Sequence, residues 1–359
     1  MEASMLYPLK FQPVYKSYLW GGRNLERFGK TLPEGIVAES WEISCHPNGV
    51  SVIGNGEYSG TPLTAFIADF TDKIMGTALP AKNLTKFPLL VKLIDANDQL
   101  SVQVHPGDVY AASHENGELG KNEMWYILEA KPGAELIYDV RVGITKTAFA
   151  QAVNNGTIES CLKKLPVFPG DVINIPAGLV HAIGAGIILA EIQQNSDITY
   201  RVYDYGRIDA NGNKRPLHIE KALEVIDFNS GNRREKAEGL TIRPNVNVQK
   251  KYLVANPYFA VELDTIQGLM DERADGSKFY IYFITEGSGE IRYDNGSVPI
   301  AQGESVLIPA ALGAYTLQGN LKALKTYVPD LAQDIVAPLK QAGYSENEIY
   351  DKICSSWRF

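Results

Sequence analysis

Two segments about 130 residues apart carry one pattern, GDVINIPAG over Gly170–Gly178 and GESVLIPAA over Gly303–Ala311. Each reads as a glycine turn, a short apolar strand and a proline bend. A Gly-x5-Pro spacing alone is ordinary punctuation between strands. Here a hairpin-like run precedes each copy, Trp125–Tyr138 in the first and Tyr280–Tyr293 in the second. A turn–strand–proline unit that recurs with matching neighbours predicts a duplication, two β-barrels built from one ancestral pattern.

The rest of the chain agrees with a mainly β reading. Runs such as Phe87–Ile94, Met124–Leu128, Gly186–Ala190, Lys278–Ile284 and Glu304–Ile308 are rich in β-branched and aromatic residues, with Gly, Pro, Asn and Asp at their bounds. Helical spacing predicts insertions over Thr61–Ile74, opened by Thr61-Pro62, over Thr145–Leu165 with a break near Asn154-Asn155-Gly156, and over Pro216–Phe228. The polar stretch Asn229–Lys236 marks a boundary, which gives domains over 1–230 and 231–328. The tail over 329–359 predicts two short helices around Ala342–Ser345. Ser345-Glu346-Asn347-Glu348 has the form of a capping box, and Leu331, Ile335, Leu339, Ile349 and Ile353 make an apolar stripe expected to pack on the chain's own barrels.

Composition excludes several classes. Lys plus Arg number 34 against 42 for Asp plus Glu, a net charge of −8, so no surplus of cations exists for a nucleic-acid partner. No apolar run is long enough to span a bilayer, and Met1–Met5 lacks the basic and apolar regions of a secretory signal, so no membrane association is expected. Cys45, Cys161 and Cys354 are scattered and odd in number, which fits a reducing, cytoplasmic setting. Cys45-His46 has no second metal-ligating pair near it and reads as structural.

The chain has five histidines, at 46, 105, 114, 181 and 218. In Ser101–Pro106, strand alternation sends Ser101, Gln103 and His105 to one face and Val102 and Val104 to the other. Glu123 stands at the mouth of a strand, and His181 just past the turn that ends the first repeat. Two imidazoles, a carboxylate and a neutral amide oxygen form a mixed N/O set suited to a catalytic divalent metal with open positions. With no thiolate among them, a closed structural zinc site is not expected. His114 reads as a solvated loop residue, His218 as a surface or capping residue, and Trp20 as core. Tyr203 and Tyr205 either line a pocket or fill the barrel.

Gly170-x5-Pro176-x-Gly178-x2-His181 resembles the second motif of the cupin superfamily. The usual first motif has His-x-His followed closely by Glu. Here it is Gln103-x-His105, with Glu123 eighteen residues on. SVQVHP over Ser101–Pro106, GKNEMWY over Gly120–Tyr126 and TYRVYDY over Thr199–Tyr205 resemble, in order and spacing, the type I phosphomannose isomerases. So do YLWGG over Tyr18–Gly22 and AESWEIS over Ala38–Ser44. The resemblance runs from about residue 7 to 328, fits the short bacterial branch and leaves the tail uncovered.

That resemblance implies two cupin-like, jelly-roll barrels and interconversion of mannose 6-phosphate and fructose 6-phosphate through a cis-enediol at one zinc ion per chain. It places His105, Glu123 and His181, with Gln103 as a fourth, on metal-ligand positions. Arg201 falls on the catalytic arginine, and Lys121 and Ser101 on positions associated with the substrate phosphate. The second repeat carries Ala314 where the first has His181, so a metal is expected only in the first barrel. Metal-bound hydroxide, Glu39, Glu191 and Asp204 stand as candidates for the general base. An iron-dependent cupin oxygenase shares barrel and metal but has the His-x-His that this chain lacks. A silent sugar-phosphate-binding or regulatory cupin is the reading from another class. Self-association is left open.

Overall fold

In the computed structural model, residues 6–79, 86–208, 212–229 and 234–354 are described. The runs dense in β-branched residues become strands. Six of them form an antiparallel sheet in the order Val172–Ile175, Glu123–Ala130, Ile187–Gln194, Leu89–Ala96, Glu39–Ile43, Val14–Lys16. Five more form a second sheet in the order Leu162–Pro166, Glu135–Val140, His181–Ile183, Val102–Val104, Tyr200–Tyr203. Alternation decides what each face buries. Trp125, Ile127, Leu189 and Ile94 point to the other sheet and meet Leu136, Tyr138 and Ile183 in a shared core. Met124, Tyr126, Ala190 and Leu93 point the opposite way.

That opposite face is covered by the second barrel. Phe279, Ile281, Phe283, Leu307 and Leu324 share one apolar core with it, so the two units are joined by packing. The second barrel is built on two long strands, Ala260–Ala274 and Gly313–Tyr327, in unbroken register from Ala260 opposite Tyr327 to Ala274 opposite Gly313. The division of the chain is less clean than a cut at 230. The strand Leu9–Gln12 pairs with Ser305–Ile308, with Leu9 opposite Leu307, and so completes the second barrel's sheet from the first segment of the chain. It covers an edge that would otherwise be free to pair with another chain. Of the expected boundary stretch, residues 230–233 lie outside the described residues.

The repeat is present in the backbone. Gly170 and Gly303 both take the left-handed conformation, at φ 89° and 83°, and the strands that follow pair alike, Val172 with Tyr126 and Val306 with Tyr282. The upstream hairpins are a different matter. Residues 125–138 cross from one sheet to the other, and Tyr280–Tyr293 is one continuous strand. Its Gly287 and Gly289 serve close approach, since a Cβ there would lie 2.1 Å from a backbone oxygen, of Asn320 or Gln318.

Helices fall near their expected places. Leu63–Met75 follows Thr61-Pro62, Thr145 caps Lys146–Asn154, and Ile219–Val225 lies within the third expected insertion. The second half of Thr145–Leu165 differs, because Leu162–Pro166 is a strand that covers the edge of Glu135–Val140. In the tail, Ser345 forms both halves of the capping box of Glu346–Ile349. Ile335, Leu339, Ile349 and Ile353 pack on Leu240, Tyr252, Ala260 and Tyr327 of the second barrel. No described helix is long and apolar enough to cross a membrane.

Candidate active site

His105, Glu123 and His181 come together between the two sheets of the first barrel. Glu123 and His181 each begin a strand, and His105 directly follows one. The three are at most 1% exposed, and their ligand atoms lie within 4.8 Å of one another. Each imidazole is oriented from behind. His105 Nδ1 donates to the Ile198 carbonyl at 2.7 Å and His181 Nδ1 to the Leu179 carbonyl at 2.9 Å. A carbonyl only accepts, so the proton sits on Nδ1 and both Nε2 lone pairs face Glu123.

Burial holds both histidines neutral. His181 is pushed down to about 3, by desolvation first and then by His105, and His105 is lowered by desolvation and by Lys121. Burial, the largest single effect, would protonate Glu123, but the Lys121 ammonium, 2.7 Å from Oε1, together with His105 and His181 outweighs it and holds the carboxylate well below its ordinary range. Despite that ion pair, neither Glu123 oxygen accepts a well-directed hydrogen bond from a described residue, and neither does His181 Nε2. Buried acceptors are seldom left unsatisfied. His105 Nε2 has Lys121 Nζ at 3.3 Å, while the other three deprotonated N and O atoms converge without a well-directed hydrogen bond, an arrangement that fits a divalent cation. These three residues could hold a metal ion.

Strand pairing extends the site in two rows. His181 lies opposite Gln103, and Gln103 opposite Arg201, so the three share one face across neighbouring strands. On the other sheet Trp125 lies opposite Glu191, Glu191 opposite Lys92, and Lys92 opposite Trp41. Between the rows is a cavity of about 310 Å3 lined by Gln103, Ser101, Lys121, Arg201, Glu39, Lys92, Glu191, Asp197 and Arg215, among others. Glu191 accepts from the Trp125 indole at 2.9 Å and lies 3.1 Å from Lys92 Nζ, which is also 3.7 Å from Glu39. Burial, then the charge of Glu123, raises Glu191, while Lys92 is held protonated by Glu39 and Glu191 against its desolvation. Arg201 is fixed by Nε donating to Ser101 Oγ at 3.2 Å and Nη1 to the Pro216 carbonyl at 3.0 Å.

The structure therefore gathers the residues expected at the site into one place, with His105, Glu123 and His181 touching and Gln103, Ser101, Lys121 and Arg201 lining the cavity beside them. Of the carboxylates considered as bases, Glu39 and Glu191 line it. Asp204 instead pairs with Arg207 and Arg215, and these guanidiniums overcome burial to hold it low. Lys92, Asp197 and Arg215 were missed, whereas His218 stands at the N-cap of Ile219–Val225, within its surface-or-capping reading. Lys92 had a signal, as the one cation within the apolar run Leu89–Ile94. His218 Nδ1 accepts from the Arg201 backbone N–H at 3.2 Å and so helps to hold that strand. Tyr203 and Tyr205 pack outside the barrel, His114 stacks on Tyr110, Trp20 is buried in the core, and burial pushes the Cys45 thiol up to about 12.

Comparison with known proteins adds independent findings. The model of the type I phosphomannose isomerase catalytic domain matches residues 8–131, and that of the mannose-6-phosphate isomerase cupin domain matches residues 249–328. The chain is 37% identical to mannose-6-phosphate isomerase ManA of Bacillus subtilis, over 89% of its own length and 99% of the relative's. It is 36% identical to the mannose-6-phosphate isomerase of Streptococcus mutans, over 90% and 99% of the two chains. A crystal structure of the mannose 6-phosphate isomerase from Bacillus subtilis superposes with a TM-score of 0.82 at 35% identity, covering 89% of this chain and 99% of the other.

Proposed function

The chain belongs to the type I phosphomannose isomerases, and from that premise we propose that it interconverts D-mannose 6-phosphate and D-fructose 6-phosphate through a cis-enediol at one zinc ion held by His105, Glu123 and His181. The observation that carries this reading is that the trio lies beside the cavity lined by Arg201 and Glu191, linked to it through Lys121, which lines the cavity and pairs with Glu123 at 2.7 Å. Gln103, between His181 and Arg201 in the strand row, is the fourth ligand in this reading. Bound there, zinc would act as a Lewis acid for the sugar oxygens on which negative charge develops.

The chain's own residues supply the rest. Arg201 offers a permanent cation and a rigid fork of donors, and its bonds to Ser101 and Pro216 leave it preorganised for the enediolate oxygens. Glu191 fits the proton transfer between C1 and C2 best among the carboxylates considered. It faces the cavity, burial raises its affinity for a proton, and Lys92 beside it limits that rise. Asp204, held ionised by two arginines, is a poor proton carrier. Ser101 and Lys121 serve in substrate binding.

The test is turnover of mannose 6-phosphate by the purified protein, coupled to detection of fructose 6-phosphate, with and without chelator and with elemental analysis. Activity lost to chelation and restored by zinc, at one zinc per chain, is the expected result. A metal-loaded protein without turnover would refute the isomerase and leave a binding or regulatory cupin.

A further inference from the structure

One wall of the active-site cavity carries a cation that the chemistry above does not use. Arg215 lines the cavity with Arg201, Ser101 and Lys92. Asp204 grips it side-on, accepting from Nε at 2.8 Å and from Nη2 at 2.5 Å. Asp204 itself is only 6% exposed, and it also takes Arg207 at 2.6 Å. Arg207 spends its Nη1 on the Gln99 carbonyl. One carboxylate thus anchors two guanidiniums, of which Arg207 also lies 3.8 Å from Asp98, while Arg215 and Arg201 both line the cavity.

The side-on grip occupies one edge of the Arg215 fork. Among the described residues nothing accepts from its Nη1, so the remaining edge is available to the cavity. Lys121, the cation first expected at the phosphate, is engaged with Glu123 at 2.7 Å. A phosphate monoester is a planar guanidinium's preferred partner, because two parallel N–H bonds meet two oxygens of one anion. An arginine already fixed by a buried carboxylate loses little freedom when it binds.

We propose that Arg215 is the specificity-determining cation for the substrate's phosphate, with Asp204 as its positioning residue. This rests on the sugar-phosphate reading above and adds the group that separates a hexose phosphate from a free hexose. The phosphate does not react, so Arg215 binds ground and transition states alike and acts on KM more than on kcat.

Wild type, Arg215→Ala, Arg215→Lys and Asp204→Asn are to be compared in two measurements. One is steady-state turnover of mannose 6-phosphate, and the other is binding of inorganic phosphate by 31P NMR, which needs no turnover. For Arg215→Ala, KM and the phosphate dissociation constant are expected to rise together by about 10- to 100-fold, as for loss of a charge-assisted pair, with kcat within about threefold. Arg215→Lys keeps the charge without the fork and should lie between. Asp204→Asn should raise the same two constants by a smaller factor. Unchanged phosphate affinity in Arg215→Ala and Arg215→Lys, whatever happens to kcat, would overturn the proposal. A wild type that binds phosphate through Arg215 but never turns over would refute the isomerase reading and leave this assignment standing.

Discussion

Asp264→Asn is expected to stabilise the protein at pH 8, and the gain should shrink as pH falls. Inside the second barrel Asp264 is fully buried, and neither of its oxygens accepts a hydrogen bond from a described residue. Its neighbours are Glu262, Glu272, Lys250 and Lys325. Both lysines pair with Glu272, Lys325 at 2.8 Å, and Glu262 accepts from the Tyr327 hydroxyl at 2.5 Å. Three carboxylates therefore share two ammoniums, and Asp264 is the one without a bond. Burial first, with Glu262 adding to it, raises Asp264 from 3.8 to about 7, despite Lys250 and Lys325.

The sign follows from linkage. A carboxyl whose folded pKa is raised keeps its proton where the unfolded chain has lost it, so stability falls as pH rises from about 4 to 7 and stays low above. A shift of about three units corresponds to about 4 kcal/mol as a ceiling, reached at pH 8. At pH 5 the native group is still protonated and the cost is only about 2 kcal/mol. Asn keeps the shape and cannot ionise. Calorimetric melts of both proteins at pH 5 and pH 8 would measure the difference, in which titrations common to both cancel. A variant less stable than wild type at pH 8, or a difference that ignores pH, would refute the reasoning.

Alanine at His105, Glu123 or His181 should abolish metal binding and activity together, read by elemental analysis and turnover, since each removes a donor of the trio. Arg201→Ala should retain the metal and lower kcat by about two to three powers of ten, as for loss of an electrostatic stabiliser. An unchanged kcat would remove it from the mechanism. Lys121→Ala should raise KM with metal retained, because it lines the cavity while leaving the three donors intact. Truncation after Val328 should lower the melting temperature, because Ile335, Leu339, Ile349 and Ile353 leave the second barrel's surface. Unchanged melting with loss of self-association would instead give the tail a partner-binding role.

The donor residues were legible because each sits in a local pattern that the backbone keeps. Alternation over Ser101–Pro106 set the face of Gln103 and His105, and the Gly170 turn with Pro176 set the approach to His181. The Glu191–Lys92 pair was not legible. It depends on the register between Ile187–Gln194 and Leu89–Ala96, strands far apart in the chain, and nothing local specifies which residue faces which. The same holds for Asp264, whose surplus charge exists only once its own strand pairs with Val248–Ala255 and Gly313–Tyr327.

Local reading also misjudged the stretch after Arg201, for an identifiable reason. Strict alternation from Arg201 would aim Tyr203 and Tyr205 into the cavity. The register slips by one residue between Arg201 opposite Gln103 and Tyr203 opposite Val102, a β-bulge that adds a residue to this strand alone. Past the bulge both tyrosines pack outside the barrel, Tyr205 takes a left-handed φ of 56°, and Asp204 meets the arginines of the following loop. One inserted residue thus takes two aromatic rings out of the cavity and places a buried carboxylate behind its cationic wall. On this account the bulge is what allows a single strand to carry Arg201 for the chemistry and, four residues later, to release the loop whose Arg215 recognises the phosphate.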